Sequence, residues 1–357
     1  MIYAPVLIPT LCRYDKFVKC FESLNENTWA EYTDLLIALD HPKKPSHKEG
    51  YDKIKAYCDD AINNGRVRFK SVTLILRSNN LGAIGNFESL DQQTFQKYDR
   101  CICTFDDLEH SKNFIQYMDE MLEAFKEDKK VAMVTGYSYP VNWQTRENAT
   151  AVKQSLEGSI WGVGFWIDEW NELMEYLRRG QLIRQFPSAF RSGKFEEMTD
   201  WAVKDYVNAV VNGAAVNSLL KRVTDVSLRI YLSVAEKYAV MPVVSKTRNI
   251  GFDGTGAFCE EITFNEDKEV SSSNYRFDLQ PIDSADTFVS HVDYAFDNKM
   301  NCSIVDRFDK RPEGEREEML ARAEAYANLC RWEQACLNLK ANIRKINNLI
   351  MRIKKTL

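Results

Sequence analysis

An α/β fold, with a mostly parallel, twisted central sheet and helices on both faces, is what the first 135 residues of the chain predict. Three observations carry this. Short apolar runs alternate with segments of helical period, turn-forming residues close most of the runs, and polar residues gather just beyond them, where open α/β sheets bind ligands.

Each element can be justified in order. Residues 4–8 are an apolar run closed by Pro9 and read as strand one, after which Phe17, Cys20, Phe21 and Leu24 recur at helical spacing within residues 15–24. Residues 34–39 read as strand two, ended by Asp40-His41-Pro42, and the charged, Tyr-studded stretch 48–62 reads as a helix stopped by Asn64-Gly65. Strand three is expected over 67–76, a helix over 84–95, strand four over 101–105, a helix over 113–125 and strand five over 131–135. From 136 to 300 the pattern loosens. Trp161 to Trp166 reads as a dense aromatic and glycine turn followed by an amphipathic helix to about residue 177, residues 224–239 read as helical, and 249–256 form a glycine-rich loop. Beyond Arg311-Pro312 nearly every residue is a helix former. There Leu339, Ile343, Ile346, Ile350, Ile353 and Leu357 recur in steps of four and three, and the last two dozen residues are basic with no acid.

Composition narrows the classes. With 357 residues, 45% hydrophobic and 12% aromatic, the chain buries a large core and is not a disordered or low-complexity protein. A net charge of −5 argues against whole-surface affinity for nucleic acid. Nine cysteines, an odd number without paired CxxC spacing, predict free thiols in a reducing cytosol and no zinc site. The opening MIYAPVLIPT has no basic region and is expected to be a strand, not a secretion signal, and no window approaches the roughly 20 apolar residues of a spanning helix.

The residues beyond the strands carry the chemistry: Thr10 and Arg13 after strand one, Asp40 after two, Asn79, Asn80 and Gly82 after three, Asp106, Asp107 and Glu109 after four. No GxGxxG or GxxxxGK[ST] follows any strand, which argues against dinucleotide oxidoreductases and P-loop NTPases. Asp106-Asp107 is the strongest local signal. Adjacent carboxylates repel, so the pair makes sense where a cation or a hydroxyl-rich ligand neutralises it, and Mg²⁺ or Mn²⁺ would complete its shell with water and substrate phosphates. The alternative is that one Asp caps a helix starting near Ser111 and the other is a solvated turn residue.

Six ordered segments, APVLIPTLCRYDKFVKCFESL, IALDHP, NNLGAIGNF, TFDDLEHSKNF, SIWGVGFW and NIGFDGTGAF, resemble bacterial glycosyltransferases of the GT-A type, distantly similar to the N-acetylglucosaminyltransferase I group. The resemblance covers about residues 4–260. It implies a GT-A, Rossmann-like catalytic domain over 1–305, with a nucleotide-binding half at 1–135 and a donor-sugar and acceptor half at 136–305; the helical extension expected at 306–357 falls outside the resemblance and is read from its helix-forming residues. Carried over by position, it implies that Pro9, Thr10 and Arg13 line the uridine end of a nucleotide-sugar pocket and that Asp40 holds the base. Asn80, Leu81, Gly82 and Asn86 would flank ribose and diphosphate, Asp106 would sit by the ribose or donor sugar, and Asp107 would ligate a divalent metal. Trp161 and Gly162 would border donor sugar and acceptor. For Asp40 a plain turn role, and for Trp161 and Gly162 a core turn, stand as alternatives.

The sequence departs from the family pattern at Phe105, where the first acid of a triplet is expected, and at Phe258, where a histidine is common. His291 is a remote candidate for a further metal ligand. For inverting transfer a carboxylate must take the acceptor proton; Asp225, before Met241-Pro242, matches best, with Asp200 and Asp253 in reserve, and its plain alternative is a first-turn helix acid.

The expectation is a metal-assisted, inverting transferase, cytoplasmic or peripheral at the inner membrane face, that moves a sugar from a UDP-sugar to a glycan or lipid-linked acceptor in polysaccharide assembly. No nucleic-acid partner is expected. The terminal helix is expected to dock on the domain, pair with a second copy or touch anionic lipid. Rival readings are a sugar-nucleotide nucleotidyltransferase, disfavoured because LIPTLCRYDK has no glycine, and a non-catalytic nucleotide-sugar or glycan-binding relative, favoured by Phe105.

Overall fold

A computed structural model describes residues 2–138, 149–154, 158–182, 184, 185, 221–251, 253, 255, 292 and 293. The C-terminal extension, Phe258, His291 and Asp200 lie outside the described residues.

The alternating half folds as its periodicity dictates. β1 (Val6–Thr10), β2 (Asp34–Leu39), β3 (Ser71–Leu76) and β4 (Arg100–Cys103) interleave with α1 (Tyr14–Asn25), α2 (Lys48–Asn63) and α3 (Gly82–Thr94). A short β5 (Leu108–His110), α4 (Phe114–Phe125) and β6 (Val131–Thr135) follow. The second half supplies β7 (Ala151–Gln154), β8 (Val163–Trp166), α5 (Ile167–Arg178), α6 (Asp225–Ala235), β9 (Tyr238–Pro242), β10 (Thr247–Asn249) and β11 (Val292–Asp293).

Nine strands form one mixed sheet in the order β11-β7-β9-β6-β8-β4-β1-β2-β3. β3, β2, β1 and β4 are mutually parallel, as are β6 and β9, whereas β8 runs antiparallel between β4 and β6 and β7 antiparallel to β9. The sheet is mostly parallel, as expected. Its two faces bury alternate residues of the same strands. Val6 and Ile8 face the core shared with α1, α2 and α4, and Leu7 faces the core shared with α3, α5 and α6. The chain order reverses direction between β1 and β4, so the crevice beyond their C-terminal ends is the switch point where such sheets bind ligands.

Four expectations need correction. Trp161 to Trp166 is not a turn throughout: Val163–Trp166 is a buried strand inserted at the sheet centre. Its four residues are covered on both faces and show no alternation, and Gly164 is needed because a Cβ there would meet Leu122 and Met118 of α4 at 3.1 Å. The helix expected to Ala239 ends at Ala235, where Glu236 turns left-handed with φ 55° and releases the chain into β9. Strand three begins at Ser71, not Val67. Strand four ends at Cys103, so Phe105 and the acid pair leave the sheet. The Asp-Asp segment runs instead into β5, which pairs with β10 in a separate two-stranded sheet.

Candidate functional site

A cavity of about 710 Å³ opens beyond the ends of β1, β2 and β4. That is a size suited to a nucleotide-sized ligand. One wall is the segment after β4, another the turn after β1, a third the start of α3, and the fourth is formed by Ile160, Trp161 and the N-terminus of α6.

The acid pair and the β1 turn meet here. Arg13 Nη2 lies 2.8 Å from Asp106 Oδ1 and 2.8 Å from Asp107 Oδ2, so one guanidinium nitrogen bridges both carboxylates. Thr10 Oγ1 donates to the other oxygen of Asp106 at 2.7 Å. Burial pushes the Asp106 carboxyl upward, against the pull of Arg13. Burial would lower the Arg13 pKa, but the two carboxylates raise it above its ordinary value, and the group stays charged. Asp107 is fixed from behind. Its carbonyl accepts from Ile250 N at 2.8 Å, and Gly251 packs so tightly on it that a Cβ there would lie 2.3 Å from Asp107 Oδ2. The β5–β10 pairing, reinforced by an Arg248–Glu109 ion pair, brings this glycine loop to the acids. Lys16 ties the same loop down, reaching the Ile250 carbonyl and Asp253, 3.0 Å away. Burial works to raise the Asp253 carboxyl, but Thr255 and Lys16 bring it down to about 2.

Asp225 faces the same cavity. It is the first residue of α6, behind Thr224, whose side chain and that of Ser227 cap each other's backbone N–H in a capping box. Asp225 Oδ1 accepts from Ile160 N at 2.9 Å and Ser159 Oγ at 3.1 Å, and Oδ2 has no partner among the described residues. The first-turn helix acid and the cavity carboxylate are therefore one residue.

The structure distributes the remaining expected residues unevenly. Pro9, Thr10, Arg13, Asp40, Asn80, Gly82, Asn86, Asp106, Asp107 and Trp161 all border the cavity. Leu81 does not; the residue is 43% exposed outside the cavity lining. Gly162 does not either: at φ 72° it is wedged against Phe114 and Thr247 and turns the chain into β8, the core-turn alternative. Asp40 borders the cavity, but its carboxylate accepts from His41 N, Asn80 Nδ2, Leu81 N and Gly82 N and caps the start of α3. Asn86 is likewise tied to Arg77 and the Ala38 carbonyl.

Sequence reasoning passed over Lys16, Asn249, and Lys43, Lys44 and His47 on the cavity rim. Lys43 and Lys44, exposed beside Pro42 and Pro45, were visible as a basic pair in a turn. Phe105 stacks on Phe87 with centroids 5.5 Å apart and presents an apolar surface to the cavity.

The donor set admits a divalent ion narrowly. Arg13 and Thr10 take three of the four carboxylate oxygens, leaving Asp107 Oδ1 without a partner among the described residues. One carboxylate is enough where water and phosphate complete the shell of a hard cation. No cluster of three acidic, His or Cys side chains able to hold a metal occurs among the described residues, and no helix among them is long and apolar enough to cross a membrane.

No protein-family model matches the chain, and no curated protein sequence does. Among solved structures, S. aureus TarS 1-349 in complex with UDP is similar over 45% of this chain and 46% of its own, at 10% identity and TM-score 0.33. S. aureus TarS as a whole matches over 45% of this chain and 28% of its own, at 10% identity and TM-score 0.32. Mouse xyloside xylosyltransferase 1 in its apo form matches over 38% and 53%, at 12% identity and TM-score 0.25. The chain thus spans about a quarter to a half of these neighbours. Likenesses of this size assign no function; the chemistry of the cavity has to do so.

Proposed function

We propose that the protein is a nucleotide-sugar-dependent glycosyltransferase, of GT-A architecture, with a UDP-sugar as donor and a glycan or lipid-linked acceptor. The observation that carries this is that one switch-point cavity is lined both by an Arg13-bridged acid pair and by a separate carboxylate, Asp225, with one oxygen held and the other unpartnered among the described residues. The resemblance of the six sequence segments supports the same reading.

In this reading the diphosphate lies near Arg13 and Asp107, and Trp161 offers its ring to the sugar. A divalent ion, Mn²⁺ or Mg²⁺, would be held at Asp107 and would supply positive charge to the departing diphosphate. The chain's own groups do the rest. Ser159 and Ile160 fix Asp225 Oδ1, so that Oδ2 takes the acceptor hydroxyl proton as the acceptor oxygen bonds to the sugar C1 and the C1–O bond to the diphosphate breaks. Attack from the side opposite the leaving group inverts the anomeric centre. We place the reaction in polysaccharide assembly at the inner membrane face, where the basic residues between 340 and 355 would meet anionic lipid.

The test is a thermal-shift panel of UDP-, GDP-, TDP- and CMP-sugars with and without Mn²⁺, followed by donor hydrolysis in wild type, Asp107→Ala and Asp225→Asn. We expect a UDP-selective shift, and hydrolysis reduced at least about a hundredfold in the Asp107 variant, the scale of losing electrostatic stabilisation of a leaving group. Absence of any nucleotide-dependent shift, together with no effect of either substitution, overturns the reading. Phe105 favours a second reading, a non-catalytic nucleotide-sugar binder, which a shift without turnover in the presence of acceptors would select.

A further inference from the structure

We infer that Arg13 controls cation entry to the site: by holding Asp106 and Asp107 as one bridged pair it makes a divalent ion and a nucleotide diphosphate bind as a unit, each weakly alone. This rests on the nucleotide-sugar reading and deepens it.

The geometry supplies the argument. A single nitrogen, Arg13 Nη2, contacts both acids at 2.8 Å, and the other oxygen of Asp106 is held by Thr10 at 2.7 Å. The Asp107 side chain cannot swing back, because Gly251 already fills the space behind it. Phe105, stacked on Phe87, offers no third oxygen. At the acid pair a free ion therefore finds one unpartnered carboxylate oxygen among the described residues, whereas tight protein-only sites for hard cations need several. Nor is the pair attractive to a diphosphate alone. Two carboxylates and one guanidinium leave the cluster with an excess of negative charge, which repels phosphate at short range. A divalent cation carried on the diphosphate reverses that sign and gains Asp107 as well. By linkage, the factor by which nucleotide tightens the ion is the factor by which the ion tightens nucleotide.

Arg13 also sets the size of this coupling. Replacing it with glutamine removes the competing cation and frees a carboxylate oxygen on each acid, so an ion alone should find two carboxylates in place of one.

The experiment is calorimetry and Mn²⁺ electron paramagnetic resonance on the full chain, using MnCl₂ alone, UDP alone in EDTA, and the two together, for wild type, Arg13→Gln and Arg13→Lys. In wild type we expect each ligand to tighten the other by about tenfold or more. In Arg13→Gln we expect Mn²⁺ alone to bind several-fold more tightly and the coupling factor to fall; Arg13→Lys, which keeps the charge, should stay nearer wild type. If the glutamine variant does not fold, by circular dichroism, Arg13→Met, which removes the same charge, carries the same expectation. Mn²⁺ that binds wild type equally well with and without UDP overturns the inference, as does an unchanged Mn²⁺ affinity in folded Arg13→Gln. Absence of UDP binding under every condition instead overturns the nucleotide-sugar reading.

Discussion

Gly251 is where the acid pair is most sensitive to a single methyl group. A Cβ at this position would lie 2.3 Å from Asp107 Oδ2, 2.8 Å from Asp107 Cβ and 2.9 Å from Asp107 Cγ, all inside the 3.0 Å limit that real Cβ atoms respect. In Gly251→Ala the oxygen must therefore retreat by at least the difference between 2.3 and 3.0 Å. The Arg13–Asp107 contact, now 2.8 Å, has to readjust to a shift of that size while the guanidinium is held by Asp106. Overpacking of this kind costs about 1–3 kcal/mol, and a hydrogen bond to a charged group contributes about 1.5–3 kcal/mol when lost. The side chain of Asp107 is 13% exposed, so water recovers part of the second amount. We expect a net loss of about 2 kcal/mol, read by urea unfolding with unchanged slope. We also expect at least about tenfold weaker Mn²⁺–UDP binding, since the carboxylate proposed to receive the ion would have moved. In an Asp107→Ala background two of the three close atoms are gone, so the same substitution should cost distinctly less. A Gly251→Ala protein within about 0.5 kcal/mol of wild type, with unaltered binding, would refute the claim that the loop pins Asp107.

Three further outcomes follow from named contacts. Thr224→Ala removes the cap of α6 and should lower stability by about 1 kcal/mol, seen as a lower thermal midpoint; an unchanged midpoint would mean that the capping box does not hold α6. Gly162→Ala combines a backbone at φ 72° with a Cβ 2.9 Å from both Phe114 and Thr247, and should cost about 2–4 kcal/mol in the same assay. Burial raises the Asp119 carboxyl from 3.8 to about 7, with one oxygen accepting from Ala4 N at 2.9 Å and the other buried without a partner among the described residues. The folded state then holds the proton that the unfolded state releases, so this residue's contribution is present below pH 3.8 and is lost as pH rises to about 7. Asp119→Asn should therefore gain on wild type in unfolding free energy between pH 5 and pH 8, and parallel pH profiles would count against the assignment.

The alternating half of the fold was legible because each strand is a closed apolar run and each helix carries its own period, both local properties. β2 and β6 occur over the expected residues, 34–39 and 131–135. What escaped was set by distant contacts. β8 is only four residues long and owes its place to α4 packing on Gly164. β5 and β10 exist only as each other's partner, with Glu109 and Arg248 separated by 139 positions. Neither three-residue piece has a pattern of its own to read. Asp40 shows the same limit at the level of one side chain. Asp-His-Pro announces a turn, but that the carboxylate caps α3, some forty residues away, depends on β2 and β3 lying side by side.

Arg13 is the instructive case, because both halves of its bridge were visible and their union was not. By the family resemblance, the arginine just beyond strand one is expected at the uridine end of a nucleotide-sugar pocket, and adjacent aspartates beyond strand four read as a seat for a cation or a hydroxyl-rich ligand. Each inference treats its residues as waiting for something from outside. The strand order makes them partners: β1 has β2 on one side and β4 on the other, in parallel, so the turns that leave β1 and β4 emerge together at the switch point. With 93 positions between them in the chain, Arg13 and Asp106 meet at 2.8 Å and satisfy part of the electrostatic demand that the acid pair makes on its ligand. The charge left over is negative and small, and on the proposed nucleotide-sugar reading it would favour a cation that arrives already attached to a diphosphate.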